Sequence, residues 1–332
     1  MNISIAENPY SVCVVIPAYN AEQHIARALE SVFNQTIAPD EIIVVDDGST
    51  DNTASVVKSY SPRVRYMYKD NAGASSARNT GIKATSCNWI AFLDADDEWL
   101  AEKLQCQIEL LQRNQELVWV GCNYLIKTGD EAKNYIAPEI CEKMLGGKEY
   151  FEHFVRAAGA GIKWNPFCMV IKRKIIERMG FFCTDLHFVE DIDMFLNIAY
   201  QWPQLGYVRE PLGIYHCGLE GSFTRELSIR EKLKWEFALF DRHLKLSREQ
   251  NQPQIMKDFV AVCLKKRMLN IYILNHRDIV RDILSKYRNT LSWKYRFGMS
   301  LLTKPFMPNN AFTRKIARRL LAQKSRENNQ CP

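Results

Sequence analysis

The sequence predicts an α/β fold, with a mostly parallel central sheet flanked by helices and a helical, basic C-terminal extension. Three observations carry this reading. Short β-branched runs alternate with segments of helical periodicity through the first hundred residues. Polar, acidic clusters follow directly on the apolar runs, at the strand ends where an open α/β sheet binds its ligands. Charge is divided along the chain: residues 225–332 carry 24 Lys and Arg against 9 Asp and Glu, and residues 1–224 carry 20 against 29. An acidic body with a basic tail suggests metal and phosphate chemistry in the one and contact with an anionic surface in the other.

Ser11 to Ile16 reads as a buried strand that stops at Pro17. Residues 21–34 follow with Ile25, Ala28, Leu29, Val32 and Phe33 at helical spacing. Glu41 to Val45 is a second strand, and Asp51-Asn52-Thr53 opens a second helix with Asp51 as its N-cap. Val64 to Tyr68 is a third strand, Ala74 to Ala84 a third helix, and Trp89 to Leu93 a fourth strand ending at Asp94. Leu100 to Arg113 is an amphipathic helix and Val118 to Ile126 a strand. From Arg225 the pattern is helical, polar and basic, which places a soft boundary near 220–230. There is no internal repeat and no low-complexity segment.

Composition excludes some classes. The 332 residues are 47% hydrophobic and 25% charged, an ordinary globular balance. The ten cysteines form no CxxC pair, which argues against a zinc ribbon or a redox motif. Many lie in apolar stretches and read as buried thiols of a reducing compartment. Met1 to Ser11 has an acid, no basic residue and no apolar run of the signal-peptide kind. No uninterrupted apolar run reaches the ~18 residues a membrane span needs. A cytoplasmic protein is expected.

Three clusters carry the chemistry. Val45-Asp46-Asp47-Gly48-Ser49-Thr50-Asp51 sets acids at a strand end, where they can accept hydrogen bonds from a base or a ribose; Gly48 lets the backbone turn closely round a ligand. A strand-to-helix turn capped by Asp51 accounts for the same residues. Leu93-Asp94-Ala95-Asp96-Asp97-Glu98 gathers four acids that would repel one another without a cation, and alternate carboxylates suit Mg2+ or Mn2+. His187 to Leu196 begins an apolar helix with Glu190 and Asp191, acids that a helix N-terminus favours with or without catalysis. His216, near a strand end, is either structural or a metal or phosphate contact. Arg78, on a helix opened by Gly73, either reaches a phosphate or sits in an ion pair.

Taken as an ordered set, Val14-Val15-Ile16-Pro17-Ala18-Tyr19-Asn20, Ser31-Val32-Phe33-Asn34-Gln35-Thr36, Val45 to Asp51, Ala77-Arg78-Asn79-Thr80-Gly81 and Leu93 to Asp97 closely resemble the opening of family 2 glycosyltransferases. Asn165-Pro166, Met179-Gly180-Phe181 and Glu190-Asp191 resemble the acceptor half of that family. The likeness covers about residues 10–225. It implies a GT-A fold in residues 1–225, with a Rossmann-like nucleotide-sugar half over about 10–115 and an acceptor half over 116–225. It implies that Pro17, Tyr19, Asp47, Arg78 and Asp94 bind the donor. Asp96, in a DxD motif with Asp94, and His216 would then meet a Mn2+ or Mg2+ ion, and Asp191 would be the catalytic base, ionised at its ordinary pKa of about 4. The implied reaction is inverting sugar transfer from a nucleotide sugar, UDP-linked by family habit, to a saccharide or lipid-linked acceptor in bacterial surface-polysaccharide synthesis.

The family resemblance is not read beyond residue 225. The basic residues of 226–332, mixed with aromatic and aliphatic ones as in Trp293-Lys294-Tyr295-Arg296-Phe297, suit either an anionic membrane surface, on the inner face of the cytoplasmic membrane, or a solvated helical subdomain. Nucleic acid is not expected as a partner. Two other functions fit less of the sequence. One is a non-catalytic nucleotide-sugar-binding protein, against which the complete set Asp47, Asp94, Asp96 and Asp191 argues. The other is a nucleotidyltransferase, which would place a glycine- and basic-rich loop where Pro17-Ala18-Tyr19-Asn20 stands.

Overall fold

The computed structural model of the chain describes residues 8–162, 165–218, 227–304 and 307–322. They divide into two compact units, one up to Arg242 and one from His243. The first unit therefore runs past the boundary at 225 that the sequence suggested and takes in the first part of the helix Ile229–Glu249.

A ten-stranded sheet organises the first unit. Its first half alternates β1 (Val12–Ala18), α1 (Ile25–Phe33), β2 (Glu41–Asp46), α2 (Thr53–Lys58), β3 (Arg65–Tyr68), α3 (Ala74–Ala84) and β4 (Trp89–Phe92). The order β3-β2-β1-β4 is parallel throughout. Val12, Cys13, Val14, Val15 and Ile16 are all buried, as befits a strand with neighbours on both sides and helices on both faces. α1 turns Ile25, Ala28, Leu29 and Val32 onto the sheet. β1 runs through Pro17 to Ala18 instead of stopping before the proline. The reason is local: β4 pairs β1 only over Val12 to Val15, so the edge that Pro17 leaves without an N–H has no partner there to lose.

The second half is mixed. After β5 (Glu98–Trp99) and α4 (Lys103–Arg113) come β6 (Trp119–Thr128), β7 (Glu131–Asn134), α5 (Pro138–Leu145), β8 (Tyr150–Phe151) and α6 (Phe154–Ala160). A 3-10 turn at Pro166–Cys168, β9 (Val170–Lys172), α7 (Arg173–Arg178), α8 (Glu190–Gln201) and β10 (Leu205–His216) complete it. The sheet continues β4-β9-β6-β10-β5, with β9 antiparallel to both neighbours and β6 parallel to β10. One hydrophobic core runs beneath both halves, from Val14 and Leu29 to Trp99, Val120, Tyr124 and Phe167. The parallel arrangement read from the sequence thus describes β1 to β4, and antiparallel insertions make the whole sheet mixed.

The second unit is helical as described, with helices Pro253–Ile273, Arg277–Lys286, Trp293–Leu302 and Ala311–Ala322. Pro253–Ile273 is its central helix, burying Phe259, Val260, Leu264, Met268 and Tyr272. Among the described residues no helix is long and apolar enough to cross a membrane.

Candidate active site

The predicted donor residues stand at the carboxyl ends of three neighbouring parallel strands. Pro17 is the penultimate residue of β1 and Tyr19 lies just past it, half exposed. Asp47 follows β2, and Asp94 and Asp96 follow β4. In the order β2-β1-β4 these ends are adjacent.

Asp47 is buried and accepts hydrogen bonds from the backbone N–H of Gly73 at 2.7 Å and of Ala72 at 3.1 Å, and from Lys69 Nζ at 2.5 Å. Its backbone N–H donates to the Ala18 carbonyl at 2.8 Å, which ties the ends of β1 and β2 together. Asp46, also buried, accepts from Ser49 N–H and from the Tyr66 hydroxyl, at 2.8 and 2.7 Å. Directly after them the chain turns at Gly48, whose φ is +83°; a Cβ there would stand 2.8 Å from the Asn71 nitrogen, so only glycine fits. Asp51 accepts from the N–H of Thr53 at 3.0 Å, so it satisfies the first donor of α2 although the helix begins two residues later.

The four acids after β4 have four different environments. Asp94 accepts from Arg78 Nη2 at 2.8 Å. Asp96 is half-buried, and burial first, then the charge of Asp94, pushes its pKa up to about 6. Asp97 is buried; burial and the neighbouring Asp96 and Asp94 raise its pKa well above the carboxylate range, and it accepts the His216 N–H at 3.1 Å. Glu98 lies 3.5 Å from Arg27 Nε and 3.5 Å from His216 Nε2. His216 ends β10, and burial, then Arg27, lowers its pKa, which favours the neutral imidazole. Its Nε2 is buried without a hydrogen-bond partner.

Arg78 joins this loop to the second, mixed half. It is buried on α3, with Nη2 on Asp94 and Nη1 on Glu190 at 2.9 Å. Burial opposes its charge, but Asp94 and Glu190 outweigh that and hold its pKa above the ordinary arginine value. Asp191 stands beside Glu190 in the first turn of α8, which follows Val189 in a left-handed conformation. Burial, then repulsion by Glu190, lifts the Asp191 pKa to about 7 against the pull of Arg78. The sequence-based expectation of an ordinary pKa near 4 is corrected here: α8 sets two carboxylates side by side in a partly desolvated corner. Asn79, next to Arg78, donates to the Phe182 carbonyl at 2.8 Å and accepts its N–H at 2.9 Å, which clamps α3 to the segment leading into α8.

The structure brings Arg78, Asp94, Glu190 and Asp191 into one charge network, and Asp96, Asp97, Glu98, His216 and Arg27 into a second beside it. Asp47 holds its own partners at the start of α3. Glu190, Arg27 and Glu98 were not singled out from sequence as site residues. For Glu190 and Glu98 the signal was present, in acids adjacent to chosen ones; nothing local marks Arg27. Among the described residues no group of three or more His, Cys, Asp or Glu forms a ready metal cage. The chemistry still fits a divalent ion that takes part of its shell from phosphate oxygens, as Mg2+ does. A cation would relieve the raised Asp96 beside Asp94, and the buried His216 Nε2, 3.5 Å from Glu98, makes no hydrogen bond among the described residues.

A parallel α/β half fused to a second half through one sheet, with acids at the strand ends, is an architecture that binds its ligand at those ends. The family model for glycosyl transferase family 2 matches residues 13–179. The chain belongs to that family, and it is a transferase; the nucleotidyltransferase alternative falls away. The uncharacterized glycosyltransferase EpsJ of Bacillus subtilis (strain 168) is 29% identical over 303 residues, covering 85% of this chain and 83% of EpsJ. WfgD of Escherichia coli, a UDP-Glc:alpha-D-GlcNAc-diphosphoundecaprenol beta-1,3-glucosyltransferase, is 39% identical over 132 residues, 39% of this chain and 52% of WfgD. Among solved structures, residues 1–349 of S. aureus TarS in complex with UDP-GlcNAc superpose with a TM-score of 0.67 at 17% identity, covering 96% of this chain and 92% of that one. The mannosyltransferase PcManGT of Pyrobaculum calidifontis, in complex with GDP-Man and Mn2+, gives 0.56 at 17% identity, over 96% and 87%. These likenesses bear out the α/β glycosyltransferase fold read from the sequence.

Proposed function

We propose that the chain transfers a sugar, with inversion, from a UDP-sugar to a hydroxyl of a lipid-linked saccharide in surface-polysaccharide synthesis. The observation that carries the catalytic part is the bridge made by Arg78, which spans Asp94 of the donor loop and Glu190 beside Asp191. Next to Glu190 in the first turn of α8, Asp191 has its pKa raised to about 7 by burial and by Glu190, which supports its reading as the base. UDP and a lipid-linked acceptor are supported by the activity that the name of WfgD states and by the UDP-GlcNAc complex of TarS.

Pro17, Tyr19 and Asp47 hold the nucleoside. Asp96 and His216 would hold a divalent cation, Mn2+ or Mg2+, which would supply neutralising charge for the leaving diphosphate. Asp191 takes the proton from the acceptor hydroxyl as its oxygen bonds to the anomeric carbon and the bond to the diphosphate breaks on the opposite face. A base with a pKa near the working pH combines a usable ionised fraction with real proton affinity. Arg78 steadies the ionised Asp191 and keeps Asp94 in place. The basic extension, residues 226–332, holds the chain on an anionic membrane where a lipid-linked acceptor would reside.

A thermal-shift panel of UDP-, GDP-, dTDP- and CMP-sugars, each with Mn2+ and with EDTA, tests the donor. A ligand at 100 times its Kd stabilises the fold by about 2.7 kcal/mol. A shift for the UDP-sugars that EDTA removes is expected. A metal-dependent shift with GDP-sugars alone would replace the donor, and no shift with any would overturn the site.

A further inference from the structure

Helix Trp293–Leu302 has two apolar faces. Tyr295, Met299 and Leu302 are buried in the second unit. Trp293, Phe297 and Leu301, spaced four apart on one stripe, are 66%, 61% and 40% exposed. Large apolar side chains aligned on an exposed stripe mark a surface that another phase or partner covers. Beside the stripe opens a cleft of about 510 Å³, lined from helix Arg277–Lys286 onward by Arg281, Arg288, Arg296 and Ser285 together with Trp293 and Phe297. Among the described residues no aspartate or glutamate lines it. The Arg296 Nε is buried and has no hydrogen-bond partner among the described residues.

Three guanidinium groups round an acid-free cleft repel one another and match an anion with several oxygen acceptors. The neighbouring aromatic side chains ask for an apolar medium at the same place. Free phosphate would satisfy the arginines alone, and an apolar protein groove the aromatics alone. An anionic phospholipid at a bilayer surface satisfies both.

We propose that the Trp293–Leu302 face and its cleft form a phospholipid site, in which Arg281, Arg288 and Arg296 hold the headgroup phosphate and Trp293 and Phe297 seat in the interface. This rests on the membrane reading above and sharpens it, from diffuse basic attraction to one defined surface.

The test is flotation of the full chain with phosphatidylcholine vesicles, with and without phosphatidylglycerol. Three variants are compared: R281Q/R288Q/R296Q, W293S/F297S, and R314Q/R318Q/R319Q as a control with the same loss of charge on another helix. The wild type is expected to float with the phosphatidylglycerol vesicles, and both site variants to bind at least about tenfold more weakly, the control much less so. The exposed pair Trp293 and Phe297 can be changed without touching the core, so the test stands even if the arginine variant fails to fold. Wild-type flotation that the site variants retain would sink the defined surface and leave the membrane reading standing. No flotation with any vesicle would overturn both. Equal binding to phosphatidylcholine alone would overturn the anionic-headgroup part of the proposal and leave only the aromatic seating. A wild-type dimer without vesicles, abolished by W293S/F297S, would give the face to a second copy instead.

Discussion

The two halves of the catalytic unit are built by different rules. In β1 to β4 each strand hands over to a helix and returns parallel beside an earlier strand, so local pattern and the handedness of βαβ crossovers fix the topology. In β5 to β10, partners are chosen from afar: β9 enters between β4 and β6, and the two-residue β5 pairs with β10 more than a hundred residues later. The first half makes a fixed platform of acids at its strand ends. The second adds a few side chains, Glu190, Asp191 and His216, whose positions depend on packing against the first. The candidate site is the joint between a locally determined half and one determined by long-range contacts.

Arg78 is where that contrast is easiest to break. Arg78→Met removes the one cation between Asp94 and Glu190 and leaves both acids partly buried, which should cost about 3 kcal/mol in urea unfolding. It should also move the pH dependence of transfer to higher pH, because Arg78 now holds the Asp191 pKa down. A loss below about 1 kcal/mol would mean that the bridge does not join the halves.

Two glycines compare the halves by packing. A Cβ on Gly81 would lie 2.5 Å from Val15 Cγ1, a stiff β-branched side chain under the parallel sheet. A Cβ on Gly213 would lie 2.6 Å from Phe167 Cε2 in the mixed half, where a ring can tilt away. Gly81→Ala should cost about 2 kcal/mol and Gly213→Ala about 1 kcal/mol. The reverse order in denaturant titrations would mean that the mixed half is the more rigid.

The smallest effect is linkage. A pKa of about 7 for Asp191 in the folded chain, against about 4 unfolded, means the native state keeps a proton that the unfolded state has lost. Its contribution is greatest below pH 4 and fades as pH rises towards 7. Stability should fall by on the order of 1 kcal/mol between pH 5 and 8, after discounting for partial exposure, and Asp191→Asn should flatten that part of the curve. A wild-type curve that rises over this range would contradict the raised pKa.

What could be read from the chain follows the same division. The strands of the first half and the acids at their ends are local signals, in which an apolar run leads straight into Asp46-Asp47 or Asp94-Ala95-Asp96. The pair Glu190-Asp191 was visible as acids opening a helix, but its catalytic role came only from family resemblance. Its partner Arg78 lies 112 residues away, and nothing in the spacing announces the contact. Lys103 shows the limit most plainly. In an amphipathic helix it reads as a solvent-facing residue, yet it is fully buried, bonded to Gln107 at 2.8 Å and 4.0 Å over the Trp99 ring. Burial lowers its pKa to about 8. Periodicity ranks residues by polarity, whereas that position is set by how α4 packs on Trp99.

Asp191 is proposed as the base, with the donor on the other side of the Arg78 bridge. That assignment is tested most directly by measuring UDP release during transfer and UDP-sugar binding together, for the wild type and Asp191→Asn. A rate lower by about a thousandfold, some 4 kcal/mol of barrier, with donor affinity within about twofold, is the predicted result. Transfer at the wild-type rate would place the base elsewhere.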